Sequence, residues 1–462
     1  MFVRHTRRCV RCGYAGAEQE YIRLWGMGML ARTRGPMLVA FLTVAIDLLG
    51  FGLVLPLLPV YADRILPLFP TLTRNLLIGL LMASFSAMQF LFAPMWGRIS
   101  DRIGRRPILL VGLLGSVVFY SLFALASAWK SVVLLFVARI GAGICGATIG
   151  TAQAVIADST PPEQRAAGMA LVGMAFGIGF TIGPMLGAIS LAREGDEPSI
   201  VPGLLAATLS FAALLLAWFV LPETRREGVS VARSWWPAEG WRIALASKAT
   251  AFPICTFFLV TLAFASFESI LARYAQDEIF ADSQASVGPV VLGVSLTSRQ
   301  TRICLLFAYV GVILMLVQGL VVRPLVARVG EVVMVRTGIG LLMTALLLMA
   351  TWQAGTSLPL TLVALALAVS GFACCTPALQ SLVSRHAPPD RQGQILGVNQ
   401  SAASLSRILG PVLGNSLYGP KHGSHQLPYY AATALLLLAF LLSLAMRSAL
   451  AATIPDKPPV SG

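Results

Sequence analysis

The sequence predicts an all-α polytopic membrane protein, with twelve transmembrane helices in two pseudo-symmetric six-helix bundles. Three observations predict it. First, 57% of the 462 residues are hydrophobic and only 12% are charged, against about 45–50% and about 25% in soluble domains. Second, the apolar residues gather into runs long enough to cross a bilayer, which takes roughly 20 residues of helix. Third, the chain repeats itself. Pro161-Pro162-Glu163 and Gly183-Pro184-Met185-Leu186-Gly187 return as Pro388-Pro389-Asp390 and Gly410-Pro411-Val412-Leu413-Gly414, both 227 residues on. Arg102-Ile103-Gly104 is echoed by Arg328-Val329-Gly330 at 226. A span in lipid has to satisfy its backbone internally, so each run is read as helix. Repeated halves of this kind build many transporters, with the substrate site between them near the midplane.

Residues 1–36 are read as a basic cytoplasmic tail holding seven arginines. Spans follow at 37–61, 76–96, 108–128, 131–153, 166–190 and 203–222, giving an N-terminal bundle over 37–222. A charged cytoplasmic linker covers 223–250. Spans at 251–272, 303–323, 333–352, 358–380, 393–418 and 428–447 make a C-terminal bundle over 251–447, and 448–462 is a second cytoplasmic tail. The tails, the linker and every second loop hold three times as many Lys and Arg as the remaining loops, which contain Arg64, Arg74, Lys130, Arg193, Arg273, Arg299, Arg302 and Lys421. Basic residues stay on the cytoplasmic side, so both termini are placed inside a cell (inner) membrane. The connector 273–302 is long for a bundle loop, and its apolar stretch Val287–Leu296 suits a membrane surface.

Composition also excludes function classes. The net charge of +14 is spread through short loops and does not form the one-faced basic footprint of a nucleic-acid binder. Cys145, Cys255, Cys304, Cys374 and Cys375 lie in apolar segments, where a thiol behaves as a small hydrophobe. Cys9 and Cys12 form a lone CxxC with His5 nearby, short of the four ligands of a structural zinc site, so no metal or other cofactor is expected. The first apolar run is too long for a signal peptide and has no small-residue cleavage site after it. No G-x-x-x-x-G-K-[ST] loop is present to bind ATP, and no nucleophile sits near a base, which argues against an enzyme. The expected partners are protons, lipid and a small-molecule substrate, with the chain as a monomer.

Between the second and third spans the chain reads Gly97-Arg98-Ile99-Ser100-Asp101-Arg102-Ile103-Gly104-Arg105-Arg106-Pro107. The glycines permit tight turns and Pro107 suits a first helical turn. Asp101 can pair with the arginines or sit at a helix N-terminus. On charge alone, the loop equally reads as an anchor on the inner face. In the fifth span Gly173, Gly177, Gly179, Gly183 and Gly187 surround Pro184. Small residues four apart let helices approach closely, and Pro184 can bend the helix.

Four charges fall inside spans: Asp47 in the first, Arg139 in the fourth, Glu268 in the seventh and Arg407 in the eleventh. Each costs about 2.5 kcal/mol or more at a helix centre unless paired or wet, which makes each a functional candidate. The alternative is a structural ion pair, or snorkelling for Arg139. Thr43, Asp47 and Gly50 share a helical stripe, as do Arg139, Gly143, Gly146 and Gly150, and Gln400, Ser404, Arg407 and Pro411. These polar or small stripes suit a wet cavity. Gln89, Gln318, Gln380 and Asn399 are further cavity candidates, with an interhelical hydrogen bond as the alternative for each.

The loop Gly97–Arg106 resembles the G-x-x-x-D-R-x-G-R-R signature of the major facilitator superfamily. The second-half copy has Ala327 where Asp101 stands. The resemblance implies that Gly97, Asp101, Arg102, Gly104, Arg105 and Arg106 form a gating loop that latches the halves in the outward-facing state. Gly179-x-x-x-Gly183-Pro184-x-x-Gly187-Ala188 is similar to the motif of the family's exporters, with Ala188 in place of the usual final glycine. Arg139-x-x-x-Gly143 resembles the fourth-span motif whose arginine is tied to proton coupling. Asp47 with Gly50-x-Gly52-x-x-x-Pro56-x-x-Pro59 looks like the first span of the 12-span drug:proton antiporters, tetracycline exporters among them. The reading is proton-coupled export of a small amphipathic compound by alternating access. Asp47 or Glu268 takes a proton from outside, and Arg139 and Arg407 bias that uptake. The alternative within transport is a proton-coupled importer or uniporter of a metabolite such as a sugar or organic acid. A receptor or scaffold without transport is a third class, against which the intramembrane charges speak.

Overall fold

The computed structural model of the chain describes residues 40–46, 48–49, 52, 71–194, 200–224, 237–275, 290–291, 294–295, 299–351, 358–418 and 426–451. Helical backbone at 40–46, 48–49 and 52 precedes α1 (Thr71–Ile103), α2 (Arg105–Ala128), α3 (Val132–Cys145), α4 (Ile149–Ser159), α5 (Arg165–Glu194) and α6 (Val201–Val220). A short helix, α7 (Pro237–Ala246), lies within the expected linker. Then come α8 (Lys248–Tyr274), α9 (Arg299–Leu316), α10 (Arg323–Val329), α11 (Glu331–Ala350), α12 (Leu358–His386), α13 (Gln392–Leu417) and α14 (Leu427–Ala451). The only strand pairing among the described residues is a two-residue hairpin, β1 (Val290–Val291) against β2 (Val294–Ser295), inside the apolar stretch of the long connector. The N-terminal tail with Cys9 and Cys12, and most of that connector, lie outside the described residues.

Ten helical stretches among the described residues are long and apolar enough to cross a membrane, where twelve spans were expected. Two expected spans account for the difference. The first, 37–61, is only partly described. The eleventh is a helix of spanning length, α13, but its composition is too polar to qualify. It buries Gln392, Gln394, Asn399, Gln400, Ser401, Ser404 and Ser406. It packs along α1, α8 and α4, so most of these polar groups face protein and not lipid, although the Asn399 amide finds no hydrogen-bond partner among the described residues. The outside is the reverse: Phe219 is 78% exposed and Val133 73%. Apolar patches on that scale mark a surface that meets lipid or another apolar partner.

Two expected straight helices are interrupted. The fourth span breaks at a 3-10 turn, Gly146–Thr148, between α3 and α4. The eighth widens into a π-turn at Val317–Val322 before α10, an irregularity that recurs at functional positions. Helix boundaries follow the local chemistry. Ser131 caps α3 by accepting the Leu134 N–H at 3.4 Å. Gly104 and Gly330 both take positive φ, 122° and 80°, at the equivalent helix junctions of the two repeats, a conformation that a side chain would disfavour.

Candidate functional site

A cavity with ≈ 1250 Å³ of empty space, its mouth included, lies among α1, α5, α8, α9, α12 and α13. Its walls are aromatic, with Phe85, Phe176, Phe257, Phe264, Phe307 and Phe372. Phe264 and Phe372 stack with centroids 4.0 Å apart and planes 10° from parallel. Set into this apolar lining are Glu268 on α8, Arg407 on α13 and four glutamines: Gln89, Gln318, Gln380 and Gln400. A large apolar pocket with a few convergent polar groups is the usual form of a small-molecule site.

Arg407 is held in place. Its Nη2 donates to the Gln89 side-chain oxygen at 3.1 Å and to Ser404 Oγ at 2.9 Å. Glu268 lines the same cavity and has no hydrogen-bonding partner among the described residues. Gln318 sits in the π-turn and donates to Thr376 Oγ1 at 3.1 Å and to the Ala373 carbonyl at 3.4 Å. Its oxygen is turned against Gly173 of α5, where a Cβ would overlap it.

Below this cavity, α1 and α13 close against each other. Ser401 donates to the Phe90 carbonyl at 2.5 Å, a Cβ on Gly397 would overlap the Ala93 carbonyl, and one on Gly97 would overlap the Gly393 carbonyl. The seam ends at the Gly97–Pro107 loop. There Asp101 accepts the Gly393 and Gln394 N–H groups at 2.9 and 2.8 Å. These are the first turn of α13, where a negative charge is favoured. Arg105 spans Asp101 at 2.5 Å and Asp158 of α4 at 3.1 Å; Asp101 and Arg105 are buried and Asp158 half-buried. Arg165, the first residue of α5, donates to the Ser384 carbonyl near the end of α12 at 2.9 Å. An anion thus meets the start of α13 and a cation meets the end of α12, both matched to the helix ends they face. Glu223 accepts the Arg105 and Arg106 N–H groups at 2.8 and 3.2 Å, and Arg106 Nη2 reaches the Trp218 carbonyl at 2.6 Å. Arg102 is half-buried at the end of α1. Gly97→Val is expected to hold the seam open, because overpacking of this kind costs about 1–3 kcal/mol. The check is substrate flux in vesicles: a drop of roughly ten-fold with insertion intact fits that cost, and undiminished flux would show that the seam tolerates the side chain.

Of the residues expected in the cavity, Gln89, Gln318, Gln400, Glu268 and Arg407 line it. Asn399 does not; it is fully buried elsewhere on α13. Arg139 is also buried away from the cavity wall. Its guanidinium lies 4.6 Å from the centroid of Phe85, which does line the cavity. Only Gly146 of its stripe reaches the cavity. Gly143 packs on the α1 backbone at Phe85 and Gly150 on Gly397, so the small residues are filled by neighbouring helices rather than by water. The α5 glycines divide between two partners. A Cβ at Gly179 would sit 2.8 Å from the Leu48 carbonyl oxygen, whereas one at Gly177 would sit 2.8 Å from the Met315 nitrogen of α9. Gly183 is buried beside Gly52. The side chain of Pro184 and the packing of Gly187 lie outside the described residues, as does Asp47.

The phenylalanines, Asp158 and Glu239 were not singled out from the sequence. One signal was available for another group. Arg105 and Asp158 correspond at the repeat offsets to Glu331 and Arg385, and Glu331 pairs with Arg385 at 2.7 Å. The repeat keeps the ion pair and exchanges the charges, which a search for identical residues passes over.

The family model described as Major Facilitator Superfamily matches residues 40–411 and 292–461. The class C tetracycline resistance protein of Escherichia coli is 32% identical over 404 residues, covering 84% of this chain and 90% of that protein. The class D tetracycline resistance protein of Salmonella ordonez is 30% identical over 379 residues, covering 82% and 88%. Among solved structures, the human organic anion transporter MFSD10 superposes with a TM-score of 0.72 at 27% identity, covering 89% of this chain and 99% of that one.

Proposed function

The chain belongs to the Major Facilitator Superfamily, a family of membrane transporters and not of enzymes, and we propose that it exports a small amphipathic compound in exchange for protons by alternating access. The observation that carries this reading is the aromatic cavity with one acid, Glu268, and one anchored base, Arg407, in its wall. Stacked rings and glutamine amides suit a planar molecule with a few polar groups. A carboxylate in the same wall can give up its charge to a proton or to a cationic substrate, which is the competition an exchanger needs. Likeness to tetracycline resistance proteins supports the substrate class.

In this reading the partly described first helix and α13 complete twelve spans in two related bundles, 37–222 and 251–447, joined by the 223–250 linker. Positive-inside asymmetry puts both termini and the Gly97–Pro107 loop on the cytoplasmic side of the inner membrane. The closed α1–α13 seam is then the inner gate and the conformation faces outward. Asp47 and Arg139 act with Glu268 and Arg407 in proton coupling, and the chain works as a monomer. Import of an organic acid is the second reading. It is favoured by the fixed guanidinium of Arg407 in the cavity and by likeness to an organic anion transporter.

The test is proton movement in proteoliposomes holding a pH-sensitive dye, challenged with lipophilic cations, tetracycline-like compounds and organic acids. Proton flux evoked by the first two groups and lost in Asp47→Asn is the expected result. Uptake of an organic acid driven by an inward proton gradient would replace export with import.

A further inference from the structure

The helix α7 sits across the α1–α13 seam, and no motif in the sequence marks it. Glu239 on α7 reaches Arg98 of α1 through one carboxylate oxygen at 3.5 Å and Arg391, just ahead of α13, through the other at 3.6 Å. Arg391 also meets its neighbour Asp390 at 3.4 Å. The next two residues of α7 repeat the division. A Cβ at Gly240 would lie 3.1 Å from the Gln394 amide nitrogen and 3.2 Å from a Val398 methyl, both on α13. The Trp241 ring lies 6.2 Å from that of Phe90 on α1. Three consecutive residues therefore touch both sides of the seam.

The helix is not a slack tether at its far end. Only Ser247 separates it from α8, and Thr250 Oγ1 donates back to the Ala244 carbonyl at 2.6 Å and to Ser247 at 3.1 Å. These bonds fix α7 to the start of α8, the helix that carries Glu268 in the cavity wall. We propose that α7 is a clasp on this gate: Glu239 ties Arg98 to Arg391 while the seam is shut and has to let go of one of them before the seam parts. The clasp rests on the alternation between two states proposed above, and not on the identity of the substrate or on proton coupling.

The experiment measures the gate directly, in the full chain in lipid nanodiscs. Spin labels go on E163C and R328C, both exposed and on opposite sides of the seam, with Cys9, Cys12, Cys145, Cys255 and Cys304 replaced by serine or alanine, since Cys145 and Cys255 are free and only half-buried. Pulsed dipolar spectroscopy then reads the distance between them. E239Q is expected to raise the open, long-distance population about two- to five-fold, the range for a partly exposed ion pair. E239K, which repels both arginines, raises it further. R98Q added to E239Q gives no more opening than their shared contact predicts, so the two effects fall short of additive. E331Q breaks a pair of the same kind that joins α11 to α12 without crossing the seam, and leaves the distances unchanged. Unaltered distances in both E239Q and E239K overturn the clasp and make α7 a passive connector. Full additivity with R98Q overturns it as well. Neither substrate nor proton gradient is needed, so a failed flux assay alongside an intact distance shift counts against the transport reading and not against the clasp.

Discussion

Replacing Glu268 by glutamine is expected to reduce substrate-evoked proton flux to the level of protein-free vesicles, with the protein still folded. The substitution is nearly isosteric and removes only the group that can gain and lose a proton. Glu268 holds no described residue in place by a hydrogen bond, so the amide orphans none. Arg407 keeps both of its contacts, to Gln89 and Ser404. What changes is the charge in the wall. A cationic substrate loses a charge-assisted contact, about 1.5–3 kcal/mol, or roughly ten- to a hundred-fold in affinity. An anionic substrate held on Arg407 loses nothing and binds as well or better, because the competing carboxylate is gone. One variant therefore separates the two readings of the cavity, provided that binding is measured beside flux, by titration of the purified protein. Undiminished proton flux in Glu268→Gln would take Glu268 out of the coupling and move the whole role to Asp47.

The helices were legible because lipid imposes length and hydropathy on each span. Where that constraint lapses, legibility lapses too. The polar α13 was placed at 393–418 with the other apolar runs, and its copy of the Gly-Pro repeat agreed with that, but its buried Gln392, Gln394 and Asn399 have no meaning in a hydropathy profile. Glu268 and Arg407 stood out as charges in apolar runs, and both line the cavity. The stripe containing Arg139 was judged by the same rule, yet of its glycines only Gly146 reaches the cavity, while Gly143 and Gly150 are contact surfaces for α1 and α13. Helical periodicity reports which residues share a face; it does not report whether water or a neighbouring helix covers that face. The α1–α13 seam was half legible. The loop spacing pointed to Asp101, while its partners Gly393 and Gln394 lie 292 and 293 residues away, a distance that no local pattern spans. Six phenylalanines gather in the cavity from five different helices, and a phenylalanine in a membrane helix is unremarkable until the fold brings others beside it.

Asp101→Ala carries the second large expectation: the α1–α13 seam opens, and transport falls because the outward-closed and inward-closed states lose their balance. The carboxylate accepts from three donors at once, the Gly393 N–H, the Gln394 N–H and Arg105. Removing one partner of a buried ion pair costs about 3–5 kcal/mol. The lower end applies here, since Arg105 retains Asp158 at 3.1 Å and opening lets water reach the freed N–H groups. Even about 3 kcal/mol moves a two-state equilibrium by more than a hundred-fold, far beyond the effect expected at Glu239. Much of the loss falls on one side of the balance, because two of the three donors belong to α13 and are bonded to Asp101 only while the seam is shut. The E163C–R328C spin-label distance should therefore shift almost wholly to the long value, while the thermal unfolding midpoint drops by less than a loss of that size within one bundle would cause. Asp101→Asn keeps one acceptor oxygen and falls between. A large drop in the midpoint with the short distance preserved would mean that Asp101 is a structural cap with no part in the gate. The same result would break the link between the Gly97–Pro107 loop and alternating access in this chain.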